Sequence, residues 1–360
     1  MVLIFWGTLD QVHLGIYGAL EKYFRSFFIF WNPEGTDWQI PVSPGGYLVG
    51  SVLFLNLIVA HAVRFKWRWT KSGIFMIHLG LICLLLGEMF TGLFSKEGSM
   101  WLNEGETRNY SEAFRKVELV VIDKSDPRLD TVVAIPEKRL KDGASIVHSA
   151  LPFALKVHRF MPNSLITRRN TAASPALPIS ATVGTGAELE AREIPRTGKT
   201  DERDIGAAFV EIVADGKSLG IWMLSNILKK QAFQNRGKEY EIALRQKRYY
   251  KAFSIRLLDF THERYSGTDI PKNFSSRVRL IELGKNEDRE VLIYMNHPLR
   301  YGGYTFYQAG FDNNDQTSIL QVVRNPTWIM PYVSCILIAL GLTIQFSLHL
   351  TGFIRKRTAQ

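Results

Sequence analysis

The sequence predicts an α-helical membrane protein with a large extracytoplasmic, mainly antiparallel β domain that is sandwich-like. Three apolar stretches, at 47–63, 74–94 and 328–350, are each close to the length of about 20 residues that crosses a bilayer as a helix. Between the last two stretches, apolar and polar residues alternate with a period of two, as in Lys116–Asp123 and Phe253–Phe260. Helices are therefore expected to span the membrane, and strands to build the domain between them.

Composition supports this division and excludes two classes of function. The 360 residues carry a net charge of +10, and the mean hydropathy of −0.03 averages over apolar stretches and a polar middle. No basic run is interleaved with aromatic residues on a clearly exposed soluble face, so no nucleic-acid partner is expected. Both cysteines, Cys83 and Cys335, lie in apolar stretches. The polar region therefore has no thiol, which excludes a self-contained disulfide oxidoreductase.

Basic residues predict the orientation in the membrane. The loop at 64–73 carries four basic residues and no acidic one, and the tail at 351–360 contains Arg355–Arg357. Positive charge favours the cytoplasmic side, so both segments are expected there. The domain at 95–325 is then periplasmic, in a multi-pass protein of the inner (cytoplasmic) membrane.

The N-terminal segment at 1–46 is expected outside as well, because the span at 47–63 runs inward. Residues 1–6 are apolar and resemble the last turns of a membrane helix. We interpret them as the remnant of a first span and expect about 15 to 20 more apolar residues upstream. The alternative is a short hydrophobic N-terminal tail.

Two parts of the domain differ in composition from the rest. Residues 164–205 are rich in Thr, Ala, Pro and Arg, with few bulky apolar residues, which is typical of a mobile insertion. The stretch Tyr240–Lys251 is rich in Arg, Lys and Tyr, and we interpret it as a solvated or headgroup-facing edge.

Six stretches of the sequence carry a further signal: Gly7–Gln11, Ile40–Tyr47, Asn56–His61, Gly73–Gly80, Asp259–Ser276 and Asn296–Gln308. Taken in order, they resemble the ResB/CcsB family of cytochrome c biogenesis proteins. Single stretches are weak signals, whereas their order and spacing agree with the orientation above. The chain lacks the tryptophan-rich segment of the family's partner, CcsA, and so resembles the CcsB half alone.

The resemblance implies a membrane subunit of the System II pathway, which delivers haem across the membrane to apocytochrome c. Implied partners are a CcsA-type haem-handling membrane protein, apocytochrome c and a thiol-reducing, thioredoxin-like protein. Haem b is implied as transported cargo, and no catalytic residue is assigned, because the chain would be a non-catalytic subunit of a holocytochrome c synthase. Two alternatives are a structural subunit that stabilises CcsA without binding haem, and an unrelated receptor with an external β domain.

His78 is the first candidate site residue. An imidazole at lipid depth is costly unless it binds or pairs with something, and imidazole is a common axial ligand of haem iron. The resemblance likewise implicates a histidine of this span as a haem ligand. Gly80 and Gly87 follow on the same stretch and allow flat packing against a helix or a porphyrin. The alternative is a histidine that is hydrogen-bonded to a neighbouring helix.

His61 and His297 are the other two candidates for binding haem. His61 lies near the cytoplasmic end of its span, at a depth like that of His78, so a bis-histidine pair is conceivable; the alternative is an interfacial histidine, with the second ligand supplied by CcsA. His297 is external and is followed by Tyr301, Tyr304 and other aromatic residues. These residues can line a surface that haem crosses, or they can belong to the β core.

Overall fold

The computed structural model describes residues 1–33, 38–169, 179–199, 202–267, 271–312 and 316–358. It divides into two units. The membrane unit comprises Met1–Glu97, Arg300–Phe306 and Val323–Gln360, and the β unit comprises Gly98–Leu299 and Tyr307–Val322.

Four α-helices lie in the membrane unit: α1 Val2–Ala19, α2 Gly46–Val59, α3 Ser72–Phe94 and α4 Met330–Thr358. Among the described residues, three helical segments are long and apolar enough to cross a membrane, namely Gly46–Val63, Trp69–Phe94 and Met330–Thr358. The segment that begins with α2 ends in a π-helical turn, Ala60–Arg64, and α3 is preceded by a 3₁₀ turn. The chain is thus a multi-pass membrane protein, as the hydropathy pattern predicted.

The strands confirm the expected antiparallel β domain. They are β1 Phe28–Trp31, β2 Ile40–Pro44, β3 Lys96–Asn103, β4 Thr107–Asp123, β5 Thr131–Pro136, β6 Ser145–Ile146, β7 Ala154–Met161, β8 Ser164–Arg168, β9 Leu189–Glu193, β10 Ala207–Ala214, β11 Lys217–Ser225, β12 Gln231–Asn235, β13 Lys238–Arg264, β14 Pro271–Glu282, β15 Glu287–Tyr294, β16 Leu299–Tyr301, β17 Tyr304–Asp312 and β18 Thr317–Arg324.

Two of the sheets share one core, which makes the domain sandwich-like. A ten-stranded sheet runs in the order β15-β14-β13-β4-β3-β18-β17-β16, with β12 beside β13 and β5 beside β4, and a four-stranded sheet runs β11-β10-β7-β6. Leu119 and Val121 of β4 are fully buried in the same cluster as Leu155 of β7, Val210 of β10 and Leu224 of β11. Inward-facing residues of both sheets thus pack against each other, as in other sandwiches.

The long pairing of β4 with β13 is irregular at two places. The register shifts between Gln246 and Arg248, and again between Tyr250 and Ile255, where β13 has extra residues. Tyr240 and Lys251 of the same strand are only 1% and 7% exposed. The interpretation of Tyr240–Lys251 as a solvated edge is therefore wrong, because its pairing with β4 buries much of it.

The described parts of the segment expected to be a mobile insertion are folded. Strands β8 and β9 pair antiparallel, and Ala181, Ala191 and Met223 pack in one small core. Residues 170–178 and 200–201 lie outside the described residues. The mobility of the whole segment stays a prediction.

Helices α3 and α4 pack with their backbones close together. Gly73, Gly80 and Gly87 recur every seven residues on α3, and all three are buried. A Cβ added at Gly73 would lie 2.5 Å from the Gly341 carbonyl oxygen, and one at Gly80 would lie 2.7 Å from Cγ1 of Ile338. Small residues at a helix interface allow this approach, and it fixes which face of α3 is turned away from α4.

Candidate functional site

The structure brings His61 and His78 together. His61 lies in the π-helical turn that follows α2, and His78 lies in the second turn of α3. Their ring centroids are 4.8 Å apart, in an edge-to-face arrangement. Because residues two apart on a helix point about 200° from each other, His78 faces away from the side on which Gly80 meets α4. The packing of α3 on α4 therefore leaves His78 facing α2.

The hydrogen bond of His61 determines its tautomer. Nδ1 of His61 lies 3.2 Å from the carbonyl oxygen of Leu57, and a carbonyl only accepts, so Nδ1 carries the proton. In a neutral imidazole, Nε2 then holds the free lone pair. Nε2 of His61 and Nδ1 of His78 are both buried, and neither has a hydrogen-bond partner among the residues that the structure describes. Buried nitrogens of this kind are suited to binding a metal ion.

Aromatic rings surround the two histidines. Phe65 stacks on His61 with centroids 5.0 Å apart, and Phe75 lies 6.0 Å from His61. Trp67 contacts both phenylalanines, at 6.3 Å from Phe65 and 5.2 Å from Phe75. The result is a continuous patch of flat apolar rings beside two neutral nitrogen ligands. We call His61, Phe65, Trp67, Phe75 and His78 the histidine–aromatic cluster.

Sequence reasoning found the two histidines of this cluster and missed its three rings. The available signal was spacing. Phe65 follows His61 by four residues and Phe75 precedes His78 by three, and residues at these separations are neighbours on a helix surface. The basic loop borders the same place, since Lys66, Arg68 and Lys71 are exposed beside Trp67.

The cluster suits haem in composition and limits how haem can bind. An iron held by both imidazoles would require the porphyrin plane to lie between them, and rings 4.8 Å apart leave no gap for it. One imidazole can bind the iron while the other borders the porphyrin, or the rings must separate first. The geometry therefore agrees better with a second axial ligand from outside this pair.

His297 lies in a different setting. It is exposed and lies in a tight turn in which the preceding residue, Asn296, has a positive φ. Its ring stacks on that of Tyr294, with the ring centroids 4.2 Å apart. Its backbone N–H donates to the Tyr294 carbonyl oxygen at 2.9 Å. Of the aromatic residues that follow it, Phe306 is fully buried. The structure thus places His297 at the surface and Phe306 in a core.

Comparison with known proteins agrees with the resemblance derived from the sequence. The model of the ResB-like family matches residues 212–319. This part of the chain is similar to the ResB-like family. The chain is also 24% identical over 299 residues to Protein NrfI of Wolinella succinogenes, an alignment that covers 81% of this chain and 29% of NrfI. The chain thus spans less than a third of the length of that relative.

These matches show similarity in sequence to the ResB-like family and to NrfI. The family match covers β11 to β17 and includes His297, but it does not reach His61 or His78. The functional role of the histidine–aromatic cluster therefore rests on its own geometry.

Proposed function

We propose that this ResB-like chain is the membrane subunit of a System II cytochrome c maturation complex, which binds haem b and delivers it for attachment to apocytochrome c. His78 supplies an axial ligand to the iron, and His61 with its neighbouring rings borders the porphyrin. A CcsA-type protein supplies the second ligand, and a thioredoxin-like protein keeps the apocytochrome thiols reduced. Thioether formation belongs to the partner and the substrate, and this chain acts as a non-catalytic subunit.

The observation that supports the proposal is the contact of two imidazoles, each with one buried nitrogen that has no hydrogen-bond partner among the described residues. Burying a polar atom without a partner costs free energy, so a ligand that binds these nitrogens offsets that cost. Neutral nitrogen ligands also bind iron without adding charge at lipid depth. Exposed basic residues beside Trp67 suit the propionates of a haem that enters from the cytoplasm.

The test uses the full chain purified with its CcsA-type partner. We expect b-type haem to co-purify, His78→Ala to lose most of it, and added imidazole to restore part of the maturation activity. His61→Ala should lose less, because the second ligand comes from elsewhere. His349→Ala is the matched control, since His349 is an exposed histidine near the other end of the membrane unit's sequence, on α4. Normal haem content and normal cytochrome c maturation in His78→Ala would favour the structural-subunit alternative.

The proposed orientation has its own test. Reporters fused after Lys71 and after Gln360 should be cytoplasmic, and one inserted near Gly198 should be periplasmic. A cytoplasmic signal at Gly198 would contradict the orientation, and would place His78 near the wrong side for capture of cytoplasmic haem.

A further inference from the structure

One half-exposed surface of the β unit combines guanidinium groups with aromatic rings. Along the first half of β4, Arg108, Tyr110, Glu112 and Phe114 are partly exposed, while the residues between them include buried Ser111 and Ala113. Alternate residues of a strand point to one face, so these four side chains share a face. Trp101, Arg203, Arg248 and Tyr250 complete what we call the arginine–aromatic surface.

Each arginine of this surface lies over a ring. The guanidinium of Arg248 is 4.1 Å from the centroid of Tyr110, which itself lies 5.6 Å from Tyr250. The guanidinium of Arg203 is 5.3 Å from Trp101 and 5.2 Å from Phe114. Such stacking holds a guanidinium in place while leaving its N–H groups available.

Arg248 and Arg203 are linked through Glu112 and Ser99. Arg248 donates from Nε to Glu112 at 3.2 Å. Ser99 is the cross-strand partner of Glu112, and Arg203 donates to the Ser99 hydroxyl at 2.6 Å. The surface is therefore continuous across β3, β4 and β13.

Positive charge exceeds negative charge on this surface. Arg108 is paired with Glu106, and Arg248 with Glu112, whereas no carboxylate lies within 4.0 Å of Arg203 among the residues that the structure describes. Burial lowers the pKa of the Arg203 guanidinium, and the charge of Glu112 only partly opposes this effect. A half-buried cation held between rings and bonded to a neutral hydroxyl is complementary to an incoming anion.

We infer that the arginine–aromatic surface binds a planar ligand with carboxylate arms, and that this ligand is the porphyrin of the haem which the chain delivers. The carboxylate pairs with Arg203 and the ring plane lies against Tyr110, Tyr250 and Trp101. Flat rings stack on aromatic side chains, and a carboxylate pairs with a guanidinium through two parallel hydrogen bonds. The inference rests on the proposed function for the identity of the ligand, and it assigns a second, iron-independent site.

The test uses metal-free protoporphyrin IX, added to the full chain in lipid nanodiscs and followed by porphyrin fluorescence. Without iron this probe has no use for His78, so it reports recognition of the ring and carboxylates alone. We expect Arg203→Gln to weaken binding by about tenfold or more, the usual effect of losing a charged hydrogen bond. Arg236→Gln is the matched control, because Arg236 is exposed on a hairpin turn and pairs with Asp215.

A second variant protects the test against misfolding. Tyr250 is 55% exposed, so Tyr250→Ala should fold normally and weaken binding by about threefold to tenfold through lost stacking. The dimethyl ester of the same porphyrin, which lacks the carboxylates, should bind equally to the wild type and to Arg203→Gln.

The outcomes separate this inference from the proposed function. His78→Ala should leave binding of the metal-free porphyrin unchanged, whatever it does to haem. Equal affinity of wild type, Arg203→Gln and Tyr250→Ala for the metal-free porphyrin would overturn the inference even if His78 holds haem. Binding of an acidic peptide that depends on Arg203, without porphyrin binding, would also overturn it.

Discussion

The membrane unit and the β unit surround their nitrogen-bearing side chains with different kinds of neighbour. In the membrane unit, His61 and His78 are aromatic nitrogen groups that can stay neutral, and they sit among rings. In the β unit, arginine and lysine side chains are surrounded by hydroxyls, carbonyls and carboxylates. Arg245 bonds to Glu118 at 3.0 Å, and Lys251 donates to the Ser111 hydroxyl at 2.8 Å.

The difference follows from what each environment offers. Helices at lipid depth satisfy their own backbone and present few polar partners, so a titratable group there is best kept neutral or bound to a ligand. A β sandwich places polar side chains of neighbouring strands opposite one another, so a charge can be paired across the strands. Removing the carboxylate partner of an arginine should therefore destabilise the β unit. In the membrane unit, we expect stability to depend most on the close approach of the helix backbones.

The largest expected effect tests the paired charges. In Glu118→Gln, the partly buried Arg245 loses its carboxylate partner, and we expect a loss of about 3 kcal/mol in the stability of the β4–β13 region. Hydrogen–deuterium exchange of β4 and β13 in the full chain measures it. Asp288→Asn is the control, because Asp288 and Arg279 form an exposed pair on neighbouring strands, and it should have little effect. Equal hydrogen–deuterium exchange rates in Glu118→Gln and Asp288→Asn would contradict the expectation that buried charge pairs stabilise the β unit.

A smaller effect is expected from the backbone packing of the membrane unit. Gly73→Ala puts a Cβ 2.5 Å from the Gly341 carbonyl oxygen and should destabilise the α3–α4 pair by about 1 to 3 kcal/mol. The same change at Gly92 is the control, since its nearest neighbour is the Tyr47 hydroxyl at 3.9 Å. Gly92→Ala should be neutral or stabilising, because alanine is the better helix former. The melting temperatures of the two variants are compared by thermal unfolding of the full chain in detergent. Equal melting temperatures would contradict the close packing of α3 on α4.

The smallest expected effect is on the pH dependence of stability, and it comes from the buried amino group of Lys251. Burial lowers the pKa of Lys251 from 10.5 to about 8. Between these values the unfolded chain keeps its proton while the folded one loses it, so stability rises with pH from about 8 to 10.5. We expect a gain of about 1 to 2 kcal/mol in opening free energy near β13, measured by hydrogen exchange corrected for intrinsic rates. Lys251→Met should lack this gain, and a variant that keeps the full pH dependence would assign it to another group.

Much of the fold was predictable because its signals are local. The hydropathy of 47–63, 74–94 and 328–350 and the alternation in β4 and β13 each depend on neighbouring residues only. Long-range pairing was less accessible. The stretch Tyr240–Lys251 has the composition of a solvated edge, yet most of it pairs with β4, and Lys251 at its end is buried. Composition cannot show that pairing, because the partner strand lies more than a hundred residues away.

The candidate sites likewise combine features that can be read from the sequence with features that depend on tertiary contacts. The alternation of Arg108, Tyr110, Glu112 and Phe114 is visible in the sequence, but Arg203, which completes the surface, comes from a segment whose composition predicted mobility. Each of the two membrane histidines was visible as a residue at lipid depth. Their mutual distance was not visible.

By itself, the sequence determined the apolar spans, the alternating strands, the basic loop and the two histidines at similar depth, since each is a property of adjacent residues. Only the tertiary structure decided that His61 and His78 touch. The glycine face of α3 packs on α4 and so sets the rotation of α3, and the π-helical turn after α2 sets the direction of His61. Rotation about a helix axis depends on what packs against the helix, and that information lies in other parts of the chain.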